Sequence, residues 1–162
     1  MVIFMNTKSY DRTHSINYAK KWALSRNPRY YNFDNVGGDC TNFISQCLYA
    51  GSQKMNYNYE NGWFYYNGYD KSPSWTGVEF LYKFLTTNNS YGPRGKESSQ
   101  SEIMAGDIVQ LSFSGNKFEH SLFILEPSTL SIAGHTYDVL YKKLNEYNFS
   151  KLRFIHITDV GI

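Results

Sequence analysis

The chain has 162 residues and a formal charge of +2, with 19% charged residues. That length supports one domain with its own core. The near-balance of charge, with no basic block and no zinc-ligand spacing, argues against a nucleic-acid partner. Two cysteines are too few for a disulfide framework, and no stretch is long and apolar enough to insert in a membrane.

Residues 1–9 carry no basic region followed by a long apolar core, so they do not read as a signal peptide. They are expected to be a flexible segment ahead of a single domain over 10–162. Asp11 can cap a helix over roughly 12–26, with Ile16, Ala19, Lys20, Ala23 and Leu24 on its inner stripe beside Trp22. Asn27-Pro28 ends it, because proline disfavours helical geometry in the residue before it. His14 in its first turn reads as a surface or capping residue.

The central stretch is Gly37-Gly38-Asp39-Cys40-Thr41-Asn42-Phe43-Ile44-Ser45-Gln46-Cys47. Glycines followed by Asp predict a tight loop running into a helix that starts at Cys40, with Asp39 as N-cap and Gly51 as the residue past its end. Cys40, Phe43, Ile44, Cys47 and Leu48 share one helical face. Cys40 and Cys47 are separated by about 10 Å of helical rise, too far for a bridge. A thiol at a helix start is favoured as thiolate by the partial positive charge of the first-turn amides, and those amides can receive an oxyanion. A buried structural cysteine accounts equally well for the stretch taken alone.

Aromatics make up 18% of the chain, including 15 Tyr and 11 Phe. The tyrosines of Tyr30-Tyr31 lie close in sequence to the cysteine. Residues 51–75 have no clear periodicity and are dense in aromatics, which predicts a substrate-facing wall bearing Trp63 and Trp75, or else two indoles that plug the core. A helix over roughly 77–88 follows, with Val78, Leu81, Tyr82 and Leu85 inward. Residues 92–102 are polar and read as a mobile loop. The last third predicts short antiparallel strands at 108–113, 120–125, 130–136 and 152–157. Helices first and strands afterwards make an α+β domain.

A catalytic thiol needs a base, and the base needs orienting. His120 shares strand parity with Leu122 and Ile124, so it faces the helix layer if they do. His135 comes on the next strand. Asp138 competes with His135 as the orienting group, although its strand parity is opposite. His156 has no obvious partner. No metal or other cofactor is expected.

The stretch at 37–47 resembles the signature of the bacterial putative amidase domain family, a branch of the papain-like, NlpC-type cysteine peptidase fold. Gly62-Trp63, Ser72-Pro73-Ser74-Trp75, Gly106-Asp107-Ile108-Val109, His120-Ser121, His135-Thr136-Tyr137-Asp138 and Arg153-Phe154-Ile155-His156-Ile157 follow in the family's order. The resemblance implies a papain-like α+β core with Cys40 as nucleophile, His120 as base and His135 in the third place. Asp39, Tyr31, Trp63 and Trp75 are then the candidate substrate contacts. It further implies an amide hydrolase forming a thioester, acting on peptidoglycan or a related peptide. Acyl transfer from the same thioester, and a non-catalytic module holding a glycan or peptide on the 57–75 segment, remain open. So does the compartment, between cell envelope or spore and cytoplasm.

Overall fold

The computed structural model describes residues 5–162. Its helices are α1 (Arg12–Trp22), α2 (Cys40–Ser52), α3 (Pro73–Thr76) and α4 (Val78–Thr87). The strands are β1 (Thr7–Lys8), β2 (Gly92–Ser98), β3 (Ile108–Ser112), β4 (His120–Glu126), β5 (Ser131–Gly134), β6 (Val139–Lys143) and β7 (Lys151–Gly161). Every pairing is antiparallel, in the order β1-β7-β3-β4-β5-β6, with β2 on the other edge of β7. No helix among the described residues is long and apolar enough to cross a membrane.

β7 organises the sheet because it is eleven residues long. Its first half pairs with β3, and its second half takes β2 along the opposite edge. This explains why 92–102 is not the mobile loop that its polar composition suggests. Gly92–Ser98 has little strand propensity of its own, but it supplies the hydrogen-bond partners that β7 would otherwise lack. Thr7 and Lys8, expected in a flexible segment, pair with Gly161 and Val160; residues 1–4 of that segment lie outside the described residues.

The sheet is apolar on both faces. On one, Ile108, Phe123, Leu125, Ala133, Ile155 and Ile157 pack with Phe43, Ile44, Cys47 and Leu48 of α2. On the other, Val109, Leu111, Leu122, Ile124, Ile132 and Phe154 form a second cluster with Ile103 and Leu144. Eleven of the thirteen residues of α2 are buried, which makes it the central helix of the fold. α1 lies against it and ends at Trp22, earlier than its sequence pattern predicts, and Leu24 is 61% exposed.

Gly51 does not end α2. The helix runs to Ser52, and Gln53 takes the left-handed conformation at φ 49°. Gly51 is required for close approach instead: a Cβ there would collide with the Tyr10 ring and lie 2.8 Å from the Asp11 carbonyl oxygen, the atoms through which the chain enters α1. Gly→Ala inside a helix ordinarily stabilises by up to about 1 kcal/mol. Here Gly51→Ala is expected to destabilise by about 1–3 kcal/mol, as overpacking against backbone does, read as a lowered urea midpoint.

Candidate active site

The site is built where the first turn of α2 meets the start of β4 and the end of β5. Gly37 and Gly38 have φ of 85° and 98°, which turns the chain sharply before Asp39. Cys40 is then the first residue of the helix and is 8% exposed. Its Sγ lies 3.7 Å from the Thr41 hydroxyl, with the Ser121 and Thr41 backbone N–H groups placed to favour the ionised sulfur. Burial pushes the thiol pKa up, against the Ser121 N–H and the Thr41 hydroxyl and N–H, which pull it down. The neutral thiol is therefore the resting form, contrary to the expectation from the helix start alone, and ionisation needs a base.

Ser121 is tied firmly to α2. Its Oγ lies 3.1 Å from Thr41 Oγ1 and accepts from Gln110 Nε2 at 3.1 Å. Gln110 in turn accepts from Arg153 at 2.8 and 2.6 Å. This buried polar chain fixes the start of β4 beside the thiol, and neither Thr41 nor Ser121 stands out as a candidate in the sequence.

Asp39 does not cap α2. Its Oδ1 accepts from the Phe33 N–H at 2.8 Å and from Asn42 Nδ2 at 2.9 Å. Its Oδ2 is 2.5 Å from His135 Nδ1 and 3.4 Å from Arg26 Nε, an ion contact without hydrogen-bond alignment. Among the described residues no side chain caps the amides of the first turn of α2. The carboxylate best placed to do so is drawn away by the His135 imidazole just past β5, so the first-turn amides are left without a carboxylate cap.

His135 is 1% exposed, and its ring stacks on Phe43 at 4.1 Å between centroids. Nε2 donates to the Trp22 carbonyl at 2.9 Å. With acceptors at both ring nitrogens, His135 is pinned to Asp39 and to the end of α1, and it makes no hydrogen bond to His120. Its expected role as the group that orients His120 is corrected accordingly. The register explains why. Phe123 pairs with Ala133, so His135 lies level with Ser121, on the helix-facing side.

His120 keeps the predicted parity with Leu122 and Ile124, but those two belong to the second cluster, on the face away from α2. Its ring lies 6.3 Å from Phe113 and 6.0 Å from Tyr147, and it has no hydrogen bond among the described residues. Burial, with Lys142 nearby, lowers its pKa to about 4, so the ring is neutral at pH 7. The folded value lies below the unfolded one near 6.5. Stability is thus fully present above pH 6.5 and lost as pH falls toward 4, by on the order of 3 kcal/mol for so large a shift. His120→Gln is expected to flatten that window in urea titrations run from pH 7 to pH 4.

The remaining expected contacts divide clearly. Trp63 and Trp75 have no exposed surface. Trp63 Nε1 donates to Ser45 Oγ at 3.0 Å and Trp75 Nε1 to Asn42 Oδ1 at 2.9 Å, so both are core indoles with satisfied N–H groups and neither faces substrate. Asp39 is equally buried and holds His135 rather than a ligand. Tyr31 is 46% exposed, and its carbonyl accepts from Asn42 Nδ2 at 3.0 Å, which leaves its ring on the surface beside the first turn of α2. Asp138 joins the site only indirectly, through two 2.8 Å hydrogen bonds from Arg26. Burial opposes the charge on Arg26, but Asp138 and Asp34 outweigh it and hold its pKa above the ordinary value. Thr136 is a further residue that sequence reasoning misses: its Oγ1 accepts from the Asp39 N–H at 3.3 Å. Thr136 and Tyr137 both have positive φ, 62° and 60°, a strained turn directly above the Asp39–His135 pair. Among the described residues no three His, Cys, Asp or Glu side chains converge as a metal site would require.

Comparison with known proteins bears on this arrangement. The family model described as "Putative amidase domain" matches residues 9–158. The chain is similar to a Bacillus subtilis (strain 168) protein described as "Uncharacterized protein YhbB", with 34% identity over 163 residues. The match covers 93% of this chain and 51% of that protein, so the chain spans about half the length of its relative. No solved structure matches it.

Proposed function

Because the chain belongs to the putative amidase domain family, we propose that it is a cysteine-dependent amide hydrolase with a papain-like core and with Cys40 as nucleophile. The observation that carries this reading is the pairing of Cys40 with uncapped first-turn amides at the start of α2. The sulfur has a fixed hydrogen-bond environment, and the donors beside it are free to stabilise a tetrahedral oxyanion.

His120 is the base in this reading. Ser121, whose N–H favours the ionised thiol, is the next residue along β4, and the His120 ring has no hydrogen-bond partner among the described residues to give up. In this reading the imidazole reaches Cys40 past the end of β4, which requires the start of the strand to move, because the ring lies with Leu122 and Ile124 on the face away from α2. The neutral ring takes the thiol proton, and the thiolate attacks the amide carbon. The C–N bond breaks as the imidazolium returns the proton to the leaving amine. Water, deprotonated by the same ring, then cleaves the thioester to a carboxylic acid and restores the thiol. His135, held by Asp39 and the Trp22 carbonyl, acts as a positioning residue that keeps Asp39 off the first-turn amides.

The substrate class is an amide in peptidoglycan or a related peptide. Incubating purified cell-wall peptides with the protein in heavy-oxygen water is expected to yield cleaved fragments with one heavy oxygen in the new carboxylate. Intact peptides, or cleavage without label, would contradict hydrolysis at this site.

A further inference from the structure

The tyrosines expected to form a wall around 51–75 do so at a different place from the buried indoles. Two adjoining hollows, of about 510 and 200 Å³, open beside the C-terminal half of α2. They share Tyr49, Met55 and Tyr57 as common walls. Tyr57 stacks with Tyr66 at 5.2 Å, and Lys54 lies 4.7 Å from the Tyr91 ring centroid. Tyr57, Tyr66 and Tyr91 are each about half exposed, at 51%, 54% and 49%.

Three features say what such a cleft takes. Its rings offer flat apolar faces, and the hydroxyls of Tyr57, Tyr66 and Tyr91 have no partner among the described residues, so stacking and hydrogen bonding are available together. Gln53 and Asn58 on its rim donate or accept within the protein through one end of the amide only, at Gln53 Nε2 and Asn58 Oδ1, which leaves Gln53 Oε1 and Asn58 Nδ2 to a ligand. Its walls carry two cations, Lys54 and Arg29, and no carboxylate. The frame is stiff: Asn56 and Trp63 exchange backbone hydrogen bonds at 2.8 and 2.7 Å, and Phe64 beneath the tyrosines is 1% exposed. A preorganised cleft loses little entropy on binding.

We propose that this cleft binds a saccharide chain bearing carboxylates. Sugar C–H faces stack on the tyrosines, hydroxyls meet the free amide and phenol groups, and the acid groups meet Lys54 and Arg29. Tyr49 is nine helical residues from Cys40, about 14 Å along the axis, so the polymer is placed on the same helix as the thiol. The acidic saccharide is distinct from the hydrolysed amide, and its binding rests on the proposed hydrolysis only for its link to turnover.

The test uses the Cys40→Ala protein, so that binding is read without catalysis. A hexuronate hexasaccharide is titrated against a neutral N-acetylglucosamine hexamer and a glutamate hexapeptide, with Kd read by calorimetry. The acidic saccharide is expected to bind at least about tenfold more tightly than either competitor and to weaken with added salt. Tyr57→Ala and Lys54→Ala should each weaken it about tenfold, with circular dichroism unchanged. Equal affinity for the neutral sugar, tighter binding of the peptide, or full affinity in both variants would overturn the proposal. Loss of hydrolysis in Cys40→Ala is a separate result, so a failure of either claim is distinguishable from a failure of the other.

Discussion

Replacing Cys40 with Ala is expected to lower amide hydrolysis about a thousandfold or more, with the fold intact. Removing the nucleophile leaves only the amides and substrate binding to act, and such residues work as a unit. The structural cost is small. Cys40 sits at the margin of the core, and its sulfur makes one long approach to a hydroxyl, with the Ser121 and Thr41 N–H groups beside it. A stability change below about 1 kcal/mol follows. Cys47→Ala is the informative control. That thiol is fully buried, with burial pushing its pKa well above the ordinary value, and it packs in the main core. Its removal should cost about 1–2 kcal/mol through the cavity left behind while turnover stays within about twofold. Steady-state rates with thermal melts of both variants separate the two roles of the two cysteines.

Asp39→Ala is expected to be the most destabilising single change near the site, by about 3–5 kcal/mol. The carboxylate is fully buried and serves four partners: the Phe33 N–H, Asn42, His135 and Arg26. Without it, a buried imidazole and a half-buried guanidinium face each other with no acceptor between them. Asp39→Asn keeps an acceptor for Phe33 and should recover part of the loss. Asp138→Asn makes the contrast. Asp138 meets the same Arg26 at the surface, where an exposed pair contributes about 1 kcal/mol or less. Denaturant unfolding of the three variants gives the order; near-equal losses from Asp39→Ala and Asp138→Asn would contradict the network as described.

The residues that can be read from sequence are those whose partners are local. Glycines, Asp39 and the apolar spacing after Cys40 announce a helix at that cysteine, and the helix starts there. Asp39 has the local pattern of a cap, but its competing partner, His135, lies 96 residues away, and no local pattern records that contact. His120 shows a different limit. Its parity with Leu122 and Ile124 is correct, but β4 is buried on both faces, so alternation says which residues go together without saying which side they take. For Trp63 and Trp75 the sequence allows either surface or core. The structure decides for the core, because Ser45 and Asn42 of α2 satisfy both indole N–H groups. β2 is hidden in the sequence because its strand character comes from the free edge of β7 rather than from its own residues.

The most direct measurement is to trap the reaction midway. The protein is mixed with a cell-wall peptide, quenched in acid within the first turnover and mapped by peptide mass spectrometry. An acyl group on the peptide containing Cys40, absent from Cys47 and from the Cys40→Ala protein, is the predicted result. Continued turnover with no adduct at Cys40, matched by equal turnover in Cys40→Ala, would contradict a nucleophilic thiol at the start of α2.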